Sequence, residues 1–176
     1  MTSLTAQDKR QMIEHLEHEV AQFRSALVEF TELDQPDVLQ LDRDDPVRIR
    51  RTAFFEVVLL HARLLDEFLG TEPTHPDDFW AGSFTTNWTK ASPLDTVAPV
   101  SPGGPSVRES INKQLAHMTT ARLSQEEFPI RSIANAVIGG LHHFVGHPDL
   151  IGDRGLDQLR MWATWSTRQP PIQAGS

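Results

Sequence analysis

Hydrophobic residues recur at helical spacing along most of this 176-residue chain. In the first segment they alternate in steps of three and four, which places them on one face of a helix. Thr5 and Asp8 have the spacing of a capping box in front of this stripe. We therefore predict a first helix from about Ala6 to Leu33. Its apolar stripe consists of Ile13, Leu16, Val20, Phe23, Leu27 and Phe30.

The second predicted helix is apolar around almost its whole circumference. It begins with Asp45 as a capping carboxylate and Pro46 at the first helical position, and Gly70 is a typical end signal. Because a helix that is apolar on all sides is usually buried, we place Phe54–Leu69 at the centre of the fold. The aspartate-rich residues 34–45 before it are predicted to be a loop.

A long connection, residues 71–105, follows the second helix and is rich in proline. Its segment Asp77–Phe84 is amphipathic, and we predict a short helix there that packs back on the core. Loops of this length are usually either functional or poorly ordered. Ser106 and Glu109 then form a second capping box, from which a third helix extends to about Arg122.

Two more helices are predicted in the last part of the chain. One begins at Pro129 and ends before Gly146, and a weaker one covers about Asp153–Ser166. The chain is therefore predicted to be all-α, a four-helix bundle with a long crossover between helices two and three and an additional C-terminal helix. A single domain, residues 1–168, includes all these helices, and residues 169–176 are predicted to be a disordered tail.

Composition excludes several kinds of site. The chain has no cysteine, which rules out a disulfide framework, a thiolate zinc site and a cysteine nucleophile. Its net charge of −8 argues against broad DNA binding. No apolar run approaches the length of a membrane span and no signal segment is visible, so we expect a cytoplasmic protein with no membrane partner.

Polar side chains interrupt the apolar face of the second helix. His61 lies near the middle of that face. There it is either a neutral core histidine bonded to a neighbour, or an acid, base or ligand. Arg63, Asp66 and Glu67 fall on the opposite, more polar side. Their spacing of three and four predicts an ordinary ion pair within the helix.

The third helix carries a second group of polar residues. Asn112 and His117 lie at opposite edges of its apolar stripe, and Lys113 lies near His117 on the outer side. Arg122 falls over the stripe one turn past Met118, where it either serves a site or interacts with the helix dipole. Because burying an unpaired polar group costs about 1–3 kcal/mol, these residues form either a satisfied internal network or a site.

The segment Ile111–His117, read Ile-Asn-Lys-Gln-Leu-Ala-His, and the pair of helices with arginine and histidine resemble the HEPN superfamily of small helical bundles. The resemblance covers roughly residues 6–146. That superfamily includes ribonuclease toxins, phage-defence proteins and many non-catalytic members. The resemblance implies a homodimer and, in catalytic members, metal-independent RNA cleavage. His117 would then be the acid and base, Arg63 or Arg122 would stabilise the phosphorane, and Asn112 would orient the ribose.

The chain departs from the catalytic HEPN pattern at the arginine that should precede His117. The three allowed positions hold Ser110, Ile111 and Asn112, none of which supplies a fixed positive charge. We therefore predict a binding or regulatory module, or a degenerate ribonuclease-type protein, of a toxin or phage-defence kind. RNA or another protein is its predicted partner, and no cofactor is expected. The predicted binding residues are His61, Asp66 and Lys113.

An alternative hypothesis is a metal-dependent enzyme. His143 and His147 are four residues apart, and with His61 they are similar to the three-histidine site of DinB-like four-helix proteins, which would bind zinc, iron or nickel. Gly146 and Pro148 flank His147 and interrupt the helical register that such ligation needs. Histidines exposed at a helix C-terminus are the other interpretation of this pair. A purely structural interaction protein is the third hypothesis.

Overall fold

A computed structural model describes residues 5–70, 79–90, 92–116 and 128–164 of the chain. This described part is all-α, as predicted, and contains no β-strand. Of the helices that it contains, none is both long and apolar enough to cross a membrane. The described residues form six α-helices: α1 (Ala6–Leu33), α2 (Pro36–Gln40), α3 (Pro46–Gly70), α4 (Val107–Ala116), α5 (Ile130–Val145) and α6 (Asp157–Ala163).

Helix starts are where the sequence prediction is most accurate. The hydroxyl of Thr5 accepts a hydrogen bond from the backbone of Asp8 at 3.1 Å, and the backbone N–H of Thr5 donates to the Asp8 carboxylate at 2.9 Å. Ser106 and Glu109 make the same reciprocal pair in front of α4. These bonds satisfy backbone N–H groups that have no partner inside the helix. Both predicted capping boxes are confirmed.

Three predicted elements differ from the structure. Residues 34–45 are not entirely loop, because Pro36 starts the short helix α2, whose Val38 is buried. Within Asp77–Phe84 the described residues form only a single 3-10 turn, Ala81–Ser83, although Trp80 and Phe84 are buried as predicted. The last helix, α6, is shorter than predicted and follows a separate 3-10 turn, Arg154–Leu156. The predicted tail, residues 169–176, lies outside the described residues.

Helices α1 and α3 form an antiparallel pair. Glu29 pairs with Arg50 near one end, and Glu19 pairs with His61 further along, so the position on α3 rises as the position on α1 falls. The whole predicted stripe of α1 is buried in the described fold. Long helices packed in this way bury their apolar stripes against each other.

Helix α5 packs on α3 through aromatic rings and a glycine. Phe144 contacts the rings of Phe68 and Phe84 edge-to-face, at centroid distances of 5.0 and 5.9 Å, which is a favoured geometry for aromatic pairs. A methyl group added at Gly140 would approach Pro93 Cγ to 2.7 Å and Leu69 Cδ1 to 2.8 Å. The absence of a side chain at Gly140 therefore allows the backbone of α5 to lie this close.

The long connection is bonded to the end of α3 and to the turn that follows α5. The indole N–H of Trp88 donates to the carbonyl oxygen of Leu69 at 2.8 Å, which satisfies an end carbonyl of α3. The backbone and hydroxyl of Thr86 both donate to Asp149, which follows α5. These described parts of the connection therefore belong to the packed structure.

Helix α3 is not buried on all sides, contrary to the prediction from its composition. Val58, Leu65 and Leu69 are essentially inaccessible, but the opposite side of the same helix is exposed to solvent. Leu60 is 41% exposed and Leu64 is 38% exposed. The apolar residues of α3 thus divide between a core face and an open face.

Candidate functional site

The most buried polar group of the described fold is the carboxylate of Asp66 on α3. Its exposed fraction is 0%, so its oxygens depend entirely on partners in the protein. Oδ1 accepts a hydrogen bond from the Ser92 hydroxyl at 2.6 Å and another from the Leu94 backbone N–H at 2.9 Å. Oδ2 pairs with the guanidinium of Arg108 on α4. These four residues are called the Asp66 cluster below.

The Asp66 cluster corrects the prediction for the polar residues of α3. Arg63 does form an intrahelical ion pair, but with Glu67, at 3.0 Å. Asp66 does not lie on the polar side with them, and its ion-pair partner is Arg108. The overlooked signal is spacing: Asp66 follows the buried Leu59 by seven residues and the buried Ala62 by four, so it shares their face.

The Asp66 cluster joins three separate segments of the chain. Ser92 precedes the 3-10 turn Pro93–Thr96, and the Leu94 N–H belongs to that turn. Arg108 lies in the first turn of α4 and is 27% exposed at its side chain. With donors on both of its oxygens and no exposure to solvent, the carboxylate orders these segments and offers no open position to a substrate.

Helix α4 carries two further buried polar atoms. Among the described residues the Ser110 hydroxyl and the Asn112 Oδ1 have no hydrogen-bond partner, and Ser110 is only 4% exposed. Lys113, predicted as a binding residue, is exposed to solvent. His117 and Arg122, predicted as the acid and base and as a phosphorane-stabilising charge, lie outside the described residues.

His61 is largely buried at the edge of α3 beside α1. Its Nδ1 is 2.6 Å from Glu19 Oε2, and its side chain is 13% exposed. A carboxylate bonded to one ring nitrogen fixes the orientation of the imidazole. The geometry agrees with the interpretation of a histidine bonded to a neighbouring side chain. Its partner comes from α1, and no described contact joins it to Asp66 or Asn112.

The three-histidine alternative is not formed by the described residues. His143 and His147 both lie against the indole of Trp88, with ring centroids 5.1 and 5.9 Å away, whereas His61 is bonded to α1. In residues 5–70, 79–90, 92–116 and 128–164 no three His, Cys, Asp or Glu side chains are grouped to hold a metal ion. The helix ends before His147, as Gly146 and Pro148 predicted.

A charged contact lies beside these histidines. Hydrogen bonds from the Thr86 side chain and backbone hold the pKa of Asp149 below its ordinary value. His147 Nδ1 in turn accepts a hydrogen bond from the Asp149 backbone N–H at 3.3 Å. This arrangement fastens the turn after α5 to the long connection.

The open face of α3 carries apolar side chains that the described core leaves exposed or only partly covered. Residue spacings of four, four, three and four place its members along one line of the helix. Ile49 is 52% exposed, compared with 41% for Leu60 and 38% for Leu64. This line is called the α3 stripe, and it consists of Ile49, Ala53, Val57, Leu60 and Leu64.

Charged residues flank the α3 stripe on both sides. At 100° per residue, Glu56, Arg63 and Glu67 lie along one flank. Arg50 and His61 lie along the other, and both are paired with glutamates of α1. An apolar strip with charged edges is the usual composition of a helix face that packs on a second helix.

Comparisons of this chain with protein-family models, with curated proteins and with solved structures find no match.

Proposed function

We propose that this chain is a cytoplasmic helical interaction module that binds another polypeptide through the α3 stripe. The single observation that carries the proposal is the exposure of this stripe. Leu60 and Leu64 are 41% and 38% exposed in the middle of a helix whose other face is fully packed. Contiguous apolar surface of this kind on a folded protein typically marks an interaction site.

The polar residues of α3 support a binding module in preference to an enzyme. A catalytic centre needs acid, base or nucleophile side chains that converge on an accessible space. Asp66, His61 and Arg63 instead bond to three different partners in three directions, namely Arg108, Glu19 and Glu67. The proposal corresponds to the non-catalytic kind of protein that the HEPN resemblance implies. It includes a four-helix bundle of α1, α3, α4 and α5, with the long connection as its crossover.

Site-specific photo-crosslinking tests the proposal. A photoreactive amino acid is introduced at Leu60, or at Met161 on α6 as a control, which is 57% exposed and far along the chain from the stripe. After irradiation in cells that express the full chain, crosslinked products are identified by mass spectrometry. We expect a defined polypeptide product from position 60 only. Products that are equally abundant from both positions, or absent from position 60, would refute the proposal.

A charged side chain introduced into the α3 stripe should prevent binding at this surface. Leu64→Glu should abolish the crosslink from position 60, because an ionised carboxylate must be desolvated when the face is covered. Met161→Glu should leave it intact. Both positions are exposed, so neither substitution should change the circular dichroism spectrum or the melting temperature substantially. A crosslink that survives Leu64→Glu would mean that the stripe is not the binding surface.

A further inference from the structure

We draw no further inference here: the strongest candidate, the side-chain cluster at the C-terminal end of α5 in which His143 and His147 lie against the indole of Trp88, carries nothing because, among the residues that the structure describes, no third histidine, cysteine, aspartate or glutamate joins the two imidazoles to hold a metal ion.

Discussion

Asp66→Ala is the substitution that most directly probes the interior of this protein. It removes a carboxylate with no solvent exposure that accepts hydrogen bonds from the Ser92 hydroxyl and the Leu94 backbone and pairs with Arg108. Breaking a buried ion pair by removing one partner typically costs about 3–5 kcal/mol. The Arg108 side chain is 27% exposed, so water can partly replace its lost partner. We therefore expect the free energy of unfolding to fall by about 3 kcal/mol, the lower end of that range.

Asp66→Asn separates the charge from the hydrogen bonds. The amide oxygen of asparagine can still accept from Ser92 and from the N–H of Leu94, whereas the amide NH2 that replaces Oδ2 cannot accept from Arg108, so both that hydrogen bond and the attraction between the charges are lost. The expected decrease is about 1.5–2 kcal/mol, the lower end of the range of about 1.5–3 kcal/mol for hydrogen bonds to charged groups, because the Arg108 side chain is partly exposed to water. Glu67→Ala is the control on the same helix. It breaks an ion pair with Arg63 whose carboxylate side is 42% exposed, and it should cost less than about 1 kcal/mol.

Urea unfolding, followed by circular dichroism and analysed as a two-state transition, measures all three values. The order of destabilisation should be Asp66→Ala, then Asp66→Asn, then Glu67→Ala. Equal losses for Asp66→Ala and Asp66→Asn would show that the hydrogen bonds from Ser92 and Leu94 contribute nothing. A loss below about 1 kcal/mol for Asp66→Ala, the range of an exposed pair, would refute the assignment of Asp66 as a buried, compensated charge.

Two further predictions concern α5 and the turn that follows it. Gly140→Ala should lower the free energy of unfolding by about 1–3 kcal/mol, because the added methyl group overcrowds its neighbours. Gly139→Ala should raise it by about 0.5–1 kcal/mol, because no atom lies within 4 Å of the added group. Urea unfolding should therefore show stability changes of opposite sign for the two substitutions. Asp149→Asn should remove stability that the hydrogen bonds from Thr86 give to the charged carboxylate. Because these bonds lower the pKa of Asp149 in the folded state, that stability is present above the ordinary value of 3.8 and is lost as the pH falls through the lower, folded value. The difference in urea midpoint between Asp149→Asn and the natural sequence should therefore shrink below pH 3.8, and a difference that does not change with pH would contradict this account.

Elements with local causes could be predicted from the sequence. The bounds of α1 follow from its capping box and a continuous apolar stripe, and α5 ends at Val145, just before the predicted stop at Gly146. In the same way, the glutamate spaced four residues after Arg63 does pair with it. Such features depend on neighbours within one or two turns, so periodicity and capping rules describe them completely.

The Asp66 cluster could not be predicted in the same way. Its donors lie 26, 28 and 42 residues further along the chain, at Ser92, Leu94 and Arg108. Helical spacing alone favoured Arg63, which is nearer to Asp66 along the chain, as the ion-pair partner of Asp66. The open face of α3 was missed for a related reason, because an apolar composition does not say how many neighbours the fold provides. Both features depend on tertiary packing, which local patterns do not encode.

The distance along the chain between Asp66 and its donors has a consequence for how the protein folds. A hairpin of α1 and α3 could form early from neighbouring segments, but it would carry an uncompensated carboxylate on its apolar side. Only the arrival of residues 92–108 supplies the three donors. A fragment that ends at Gly70 should therefore be unable to reach a native-like state, and the two halves of the chain must fold as one cooperative unit.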